Sequence, residues 1–279
     1  MATLYLVGTP LGNLGDLSPR AQETLADVDF IAAEDTRVTL RLLNHFGIQK
    51  PLVSYYQAQR GRAARAAAIL DRIAAGEDCA LVTDAGMPAI SDPGEELVRL
   101  AAERGITVCP VPGASAAITA LAASGLPTER FSFEGFLPAT RNQRRAALAE
   151  LADERRTMIF YEAPHRLCDC LRDLRDAFGG ERRIAVCREL TKLHEEFLRV
   201  SLEEAVQHFD AVEPRGEFVL VIAGAPEKQQ EALTPDDAVA LARRLQDEGL
   251  SPAAAAKEAA KRSGVARAVI YKVLVNGGE

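Results

Sequence analysis

"CALVTDAGMPAISDPG", residues 79–94, passes from an apolar run directly into a loop rich in Gly and Pro. Residues 79–83 read as a buried strand, because a short apolar run bounded by turn residues is the pattern of a strand covered on both faces. The loop that follows holds Gly86, Pro88, Pro93 and Gly94. Gly lets the main chain come close to another molecule and Pro sets the turn, so this strand end is suited to offering backbone to a ligand.

The same alternation extends in both directions. Strands are expected at 4–8, 30–33, 52–54 and 107–111, with helices over 18–25, 36–45 and 62–75 between them. Short apolar runs separated by segments of helical period describe a parallel or mixed sheet flanked by helices. This forms a first α/β domain, residues 1–113. The pattern resumes with strands at 131–136, 157–161, 183–187, 197–200 and 218–223. The last three have little helix between them, which predicts antiparallel pairing in a second α/β domain, residues 114–225. A polar, Pro-bounded stretch at 224–235 reads as a linker. Three short helices, 235–249, 251–263 and 265–275, then make a small C-terminal helical domain, residues 226–279, resembling a helix-turn-helix bundle.

With 279 residues, 48% of them hydrophobic and 26% charged, the chain has enough apolar content for a real core. No apolar stretch approaches the roughly 18 residues of a membrane helix. The start, MATLYLVGTPLGNLGD, has no basic region before its apolar run and reads as a first strand, not an export signal. Cys79, Cys109, Cys168, Cys170 and Cys187 are scattered, several in apolar runs, as expected of reduced thiols in a cytoplasmic protein. The run HRLCDC, residues 165–170, is not read as a metal site: on a helix His165 and Cys168 share a face and Cys170 points elsewhere.

A net charge of −7 argues on its face against a nucleic-acid partner. The basic residues are nevertheless grouped: Arg60, Arg62 and Arg65; Arg141, Arg144 and Arg145; Lys257, Lys261, Arg262, Arg267 and Lys272. Each group also reads as a solvated helix face.

Four loops carry the candidate chemistry. VGTPLGNLGDLS (7–18) follows the first strand, AAEDTR (32–37) the second, TDAGMPAISDPG (83–94) and VPGASA (111–116) two later ones. The glycines of the first loop match neither standard nucleotide signature. In AAEDTR, Glu34 and Asp35 read either as helix N-terminal charges or as polar groups at the carboxyl edge of the sheet, where open α/β sheets bind ligands. Together with FYEAPHR (160–166) and EFVLVIAG (217–224), these motifs in this order closely resemble the tetrapyrrole-methylase superfamily of S-adenosylmethionine-dependent enzymes, over essentially the whole chain. AEDTR and DAGMPAISDPG resemble the branch that methylates the ribose 2′ oxygen of a decoding-centre cytidine in 16S rRNA of the small ribosomal subunit.

The resemblance implies two α/β domains with the cofactor in the cleft between them, a homodimer, and S-adenosylmethionine held by Pro10, Asp84, Gly86, Met87, Ile90, Ser115 and Ala116, with Leu167 and Ala223 from the second half. Methyl transfer to a hydroxyl calls for in-line geometry and a proton acceptor. Asp16, Glu34, Asp35, Glu162 and His165 are the candidates. Arg37 and Arg166 suit the flanking phosphates, since guanidinium matches phosphate geometry. Arg60, Arg62, Arg141, Arg144, Arg145, Arg166, Lys261 and Arg262 are expected to contact RNA, as local patches on an acidic protein. Two other readings stay open: a methylase acting on a tetrapyrrole carbon, and a non-catalytic factor that binds the ribosome.

Overall fold

The computed structural model describes residues 2–56, 62–226 and 234–276. The chain forms two compact units, Met1–Ala225 and Pro226–Glu279. The first contains two five-stranded sheets.

In the first sheet, β1 (Thr3–Val7), α1 (Pro19–Asp27), β2 (Phe30–Ala33), α2 (Thr36–His45), β3 (Leu52–Ser54), α3 (Arg62–Ala74), β4 (Cys79–Val82), α4 (Glu95–Glu103) and β5 (Thr107–Val111) follow one another. The strand order is β3-β2-β4-β1-β5, and every pairing is parallel. β2 and β4 are buried throughout, as expected when helices cover both faces. The period of two sorts their side chains. Phe30, Ala32, Cys79 and Leu81 pack on one face with Ile69 and Leu97, while Ile31, Ala33, Ala80 and Val82 pack on the other with Leu25 and Leu43. Each large apolar side chain buried in this way contributes about 1.5–3 kcal/mol.

α5 (Ala116–Ser124) leads into the second sheet: β6 (Phe131–Phe136), α6 (Arg141–Glu150), β7 (Thr157–Glu162), α7 (Pro164–Phe178), β8 (Arg183–Arg188), β9 (Glu196–Ser201), α8 (Leu202–Ala211) and β10 (Phe218–Ile222). The order is β6-β7-β10-β8-β9. β8 pairs antiparallel with β9 across a short connection as expected, whereas β10 comes only after the ten-residue α8 and pairs antiparallel with β7 and β8, not with β9; β6 with β7 is parallel. Met158 and Phe160 of β7 face a core shared with Leu167, Leu171 and Leu174 of α7. Ile159 faces the opposite core, with Ala117, Ala120 and Leu121 of α5.

The second unit holds α9 (Pro235–Asp247), α10 (Pro252–Ser263) and α11 (Arg267–Asn276) around Ala242, Ala256, Ala259 and Ile270. Thr234 caps α9 with a full capping box, and Gly264 ends α10 in the left-handed conformation. Among the described residues no helix is long and apolar enough to cross a membrane. Burial pushes the Cys79 and Cys187 thiols up to about 12, which keeps both protonated.

Candidate active site

Parallel pairing brings the loops after β1, β4 and β5 to one edge, and the backbone stitches them together. Thr9 N–H donates to the Gly86 carbonyl at 2.9 Å, Gly86 N–H to the Thr9 carbonyl at 3.0 Å, and Gly8 N–H to the Val111 carbonyl at 3.3 Å. The Thr9 hydroxyl donates to the Thr83 carbonyl at 3.0 Å. Gly8 and Gly113 touch so closely that a Cβ on either would lie 2.6 Å from the other's Cα. In this way the first sheet presents Leu11, Gly86, Met87, Ile90 and Asp92 on one wall of a cleft of about 360 Å³.

The second sheet supplies the other wall. Phe136, Tyr161, Ala163 and Pro164 come from the ends of β6 and β7, Leu190 from the end of β8, and Glu217 to Val219 from the start of β10. Between the walls lies the first turn of α5, with Ser115 and Ala116. Ser115 is its N-cap but makes no capping side-chain bond, and the Ala117 N–H donates to the Tyr161 hydroxyl at 3.2 Å. The remaining first-turn amides and the helix dipole suit a negatively charged ligand group. Ala89 and Ser91, on either side of Ile90, hold φ of 68° and 65°, a left-handed conformation unfavourable for residues with a Cβ. Such strain gathers where a loop is shaped for binding.

Acidic groups cluster around Asp92. The Asp84 carboxylate accepts the Asp35 N–H at 3.2 Å, and Glu34 accepts the Asp84 N–H at 3.4 Å. Burial raises Glu34 and Asp84, and each is raised further by a neighbouring carboxylate. Asp92, half-buried on the cleft wall, is lifted to about 6 by burial first and by the charges of Glu34 and Asp84 next. The folded chain thus keeps a proton on Asp92 that the unfolded chain loses near pH 3.8. Stability falls as pH rises between these two values, and the loss is complete above the folded one. Asp92→Asn is therefore expected to raise the melting temperature by about 2–4 °C at about pH 7.5, or about 1 kcal/mol after allowing for solvent screening, and to leave it unchanged near pH 4. Scanning fluorimetry at the two pH values reads this, and an equal shift at both would refute the electrostatic cause.

Of the residues expected from the sequence, Gly86, Met87, Ile90, Ser115, Ala116 and Glu162 line the cleft. Pro10 is buried between Thr9 and Leu11, and Asp84 is exposed next to Ala85. Leu167 and Ala223 require correction. Leu167 is fully buried in the core beneath α7. Ala223 follows the far end of β10, which runs antiparallel to β7: Phe218 pairs with Glu162 at the cleft and Ile222 with Met158 at the opposite edge. The cleft is served by the other end of that motif, from Glu217 to Val219.

Glu162 lines the cleft beside Tyr161, with its side chain fully buried and 3.3 Å from the Arg166 Nε. Arg166 in turn donates to the carbonyls of Leu137 at 2.6 Å and Pro138 at 3.2 Å, which commits its guanidinium to the protein and away from phosphate. Arg144 is 4% exposed and bound to the equally buried Asp173 at 2.6 Å, so it presents no surface to RNA. Arg141 and Arg145 flank it and remain largely exposed.

Asp35 turns out to be the N-cap of α2, accepting the Arg37 N–H at 2.8 Å. The Arg37 guanidinium holds its carboxyl far below the usual carboxylate range. Arg37 itself is 87% exposed. Asp16, His165, Lys261 and Arg262 are exposed, with Arg262 paired to Glu258. Arg60 lies outside the described residues, and Arg62 opens α3. Sequence reasoning missed Asp92, Phe136, Tyr161 and Leu190. Asp92 and Tyr161 stand inside motifs already singled out, and strand alternation alone would have favoured only one of Tyr161 and Glu162.

The profile of the family described as tetrapyrrole (corrin/porphyrin) methylases matches residues 3–206. Ribosomal RNA small subunit methyltransferase I of Synechocystis sp. is 48% identical over 273 residues, covering 98% of this chain and 97% of that protein. The protein of the same name from Halalkalibacterium halodurans is 49% identical over 281 residues, covering 97% and 94%. Among solved structures, uroporphyrin-III C-methyl transferase from Thermus thermophilus, complexed with S-adenyl homocysteine, aligns with a TM-score of 0.55 at 20% identity, over 80% of this chain and 97% of that one.

Proposed function

We propose that this chain, which belongs to the tetrapyrrole (corrin/porphyrin) methylase family, is an S-adenosylmethionine-dependent methyltransferase of small-subunit ribosomal RNA that modifies the ribose 2′ oxygen of a decoding-centre cytidine. The observation that carries this reading is identity near one half, over almost the full length, to proteins named for methylation of that RNA.

The cleft suits the methyl donor. Backbone at Gly86 and Met87 and the first turn of α5 at Ser115 and Ala116 would hold it, with Ile90 against its apolar parts and Pro10 and Asp84 supporting the loops. The close approach of Gly8 and Gly113 makes the cradle possible. When bound, the donor supplies a methyl group on a positively charged sulfur. Asp92 and Glu162 on the cleft lining complement that charge, and Asp92 joins Glu162 among the candidate proton acceptors, beside His165 at the start of α7. Exposed Arg37, Arg141 and Arg145 of the first unit, and Lys261 and Arg262 of the second, are the phosphate contacts of this reading. Residues 1–113 and 114–225 serve as the two halves of the cleft, and the protein works as a homodimer in the cytoplasm, where its substrate is found.

The structural neighbour acts on a tetrapyrrole, but at 20% identity that likeness concerns the fold. Labelled S-adenosylmethionine, supplied with small subunits from a strain lacking the enzyme or with a precursor tetrapyrrole, tests the reading. Label is expected in rRNA, on a ribose. Label in the tetrapyrrole alone would replace the substrate, and subunit binding with no label in either would make the protein a binding factor.

A further inference from the structure

Phe136 ends β6 with 57% of its surface exposed, more than any other described Phe or Tyr, although it lines the cleft. Burying the ring would be worth about 2 kcal/mol to a fold that needed it for packing. This fold instead holds it out. One contact is with Tyr161, at a centroid distance of 5.5 Å and an interplanar angle of 66°, an edge-type approach. The segment directly after it is clamped from beneath: Arg166 takes the carbonyls of Leu137 and Pro138, and Arg144 takes that of Ala139 at 3.4 Å. Both arginines are tied down, Arg166 by Glu162 and Arg144 by Asp173. Three hydrogen bonds from anchored guanidinium groups thus fix the backbone that directly follows the ring.

A rigid aromatic face at the mouth of a cleft loses little conformational entropy when a flat partner lands on it. Proteins that select single nucleotides in RNA stack the splayed base on such a ring. Methylation of a ribose oxygen inside the cleft requires the base of that same nucleotide to be parked beside it. We propose that the ring of Phe136 is the platform on which the base of the target nucleotide stacks. This rests on the RNA reading given above. The occupant is the RNA base and not the adenine of the donor, because Phe136 stands at the outer rim whereas Gly86, Met87, Ser115 and Ala116 form the less exposed interior of the cleft.

The test compares wild type, Phe136→Leu and Phe136→Tyr, substitutions at a ring that belongs to no core cluster. Two quantities are measured: KM and kcat for methylation of small subunits, and the Kd of S-adenosylhomocysteine by calorimetry. Phe136→Leu is expected to raise KM about 10-fold while leaving the Kd unchanged, and Phe136→Tyr to restore KM, because stacking needs an aromatic face. A Leu variant as good as wild type overturns the proposal. So does a Kd that rises in Phe136→Leu, which would assign the ring to the donor's adenine. Wild type that binds S-adenosylhomocysteine but labels no rRNA defeats the RNA reading itself, a result distinguishable from either.

Discussion

Gly8→Ala is expected to cost about 3 kcal/mol of stability and to lower methyl transfer about 100-fold. The new Cβ would meet the Gly113 Cα at 2.6 Å, the Met87 Sδ at 2.7 Å and the Gly113 N at 2.9 Å. Two of these are backbone atoms, fixed by the ladder of β1 with β5 and by the bond from Gly8 N–H to Val111. Relief therefore requires the first and fourth loops to spread, which moves Met87 and the start of α5, both walls of the donor site. Gly113→Ala has the same effect from the other side, since its Cβ would meet the Gly8 Cα and carbonyl carbon at 2.6 and 2.8 Å. Gly15→Ala is the control: its Cβ would find only the Asn13 Oδ1 within 4 Å, at 3.2 Å. Urea titration reads the stability, a methyl-transfer assay on small subunits the rate, and calorimetry with S-adenosylhomocysteine the affinity of the cradle. Wild-type affinity and stability in Gly8→Ala would refute the close approach on which the cradle depends.

Arg144→Ala should destabilise the fold by about 3 kcal/mol, because it strands the buried carboxylate of Asp173. Asp173 is 1% exposed and receives Arg144 through two nitrogens, at 2.6 and 2.9 Å. Arg145 and Arg141 also reach it, at 3.0 and 3.4 Å, but from positions open to water, where an ion pair contributes little. Arg145→Ala should therefore cost less than about 1 kcal/mol while weakening binding to small subunits and reducing its salt dependence. Replacing both buried partners, as Arg144→Met with Asp173→Leu, should recover most of the stability lost by Arg144→Ala, since no unpaired charge is left behind. Denaturant midpoints with subunit-binding titrations at two salt concentrations check the set. If Arg144→Ala folds normally but binds RNA poorly, the arginine belongs to the surface after all.

These two neighbours in α6 show why the site was only partly legible in the chain. Arg141, Arg144 and Arg145 look alike in sequence, and a basic helix face is a sound expectation. What separates them is Asp173, twenty-nine residues beyond Arg144 on α7. A partner so distant leaves no local trace. Tyr161 was missed for a related reason: the motif announced polar chemistry at Glu162, yet that Tyr161 would line a cleft beside it depended on the second sheet meeting the loops of the first. Ala223 was misplaced because β10 inserts between β7 and β8 and runs against both, so the opposite end of EFVLVIAG reaches the cleft.

Apolar periodicity, strand-ending glycines and helix caps are local properties, and from them the chain alone determined its two sheets, its C-terminal helices and the loops that carry backbone to a ligand. Long-range pairing is not local. Only the tertiary structure decided that Gly8 meets Gly113, that Asp92 feels the charges of Glu34 and Asp84, and that Phe136 is held out in water. Each depends on residues far apart in sequence being brought within a few ångströms, where excluded volume and unscreened charge take effect.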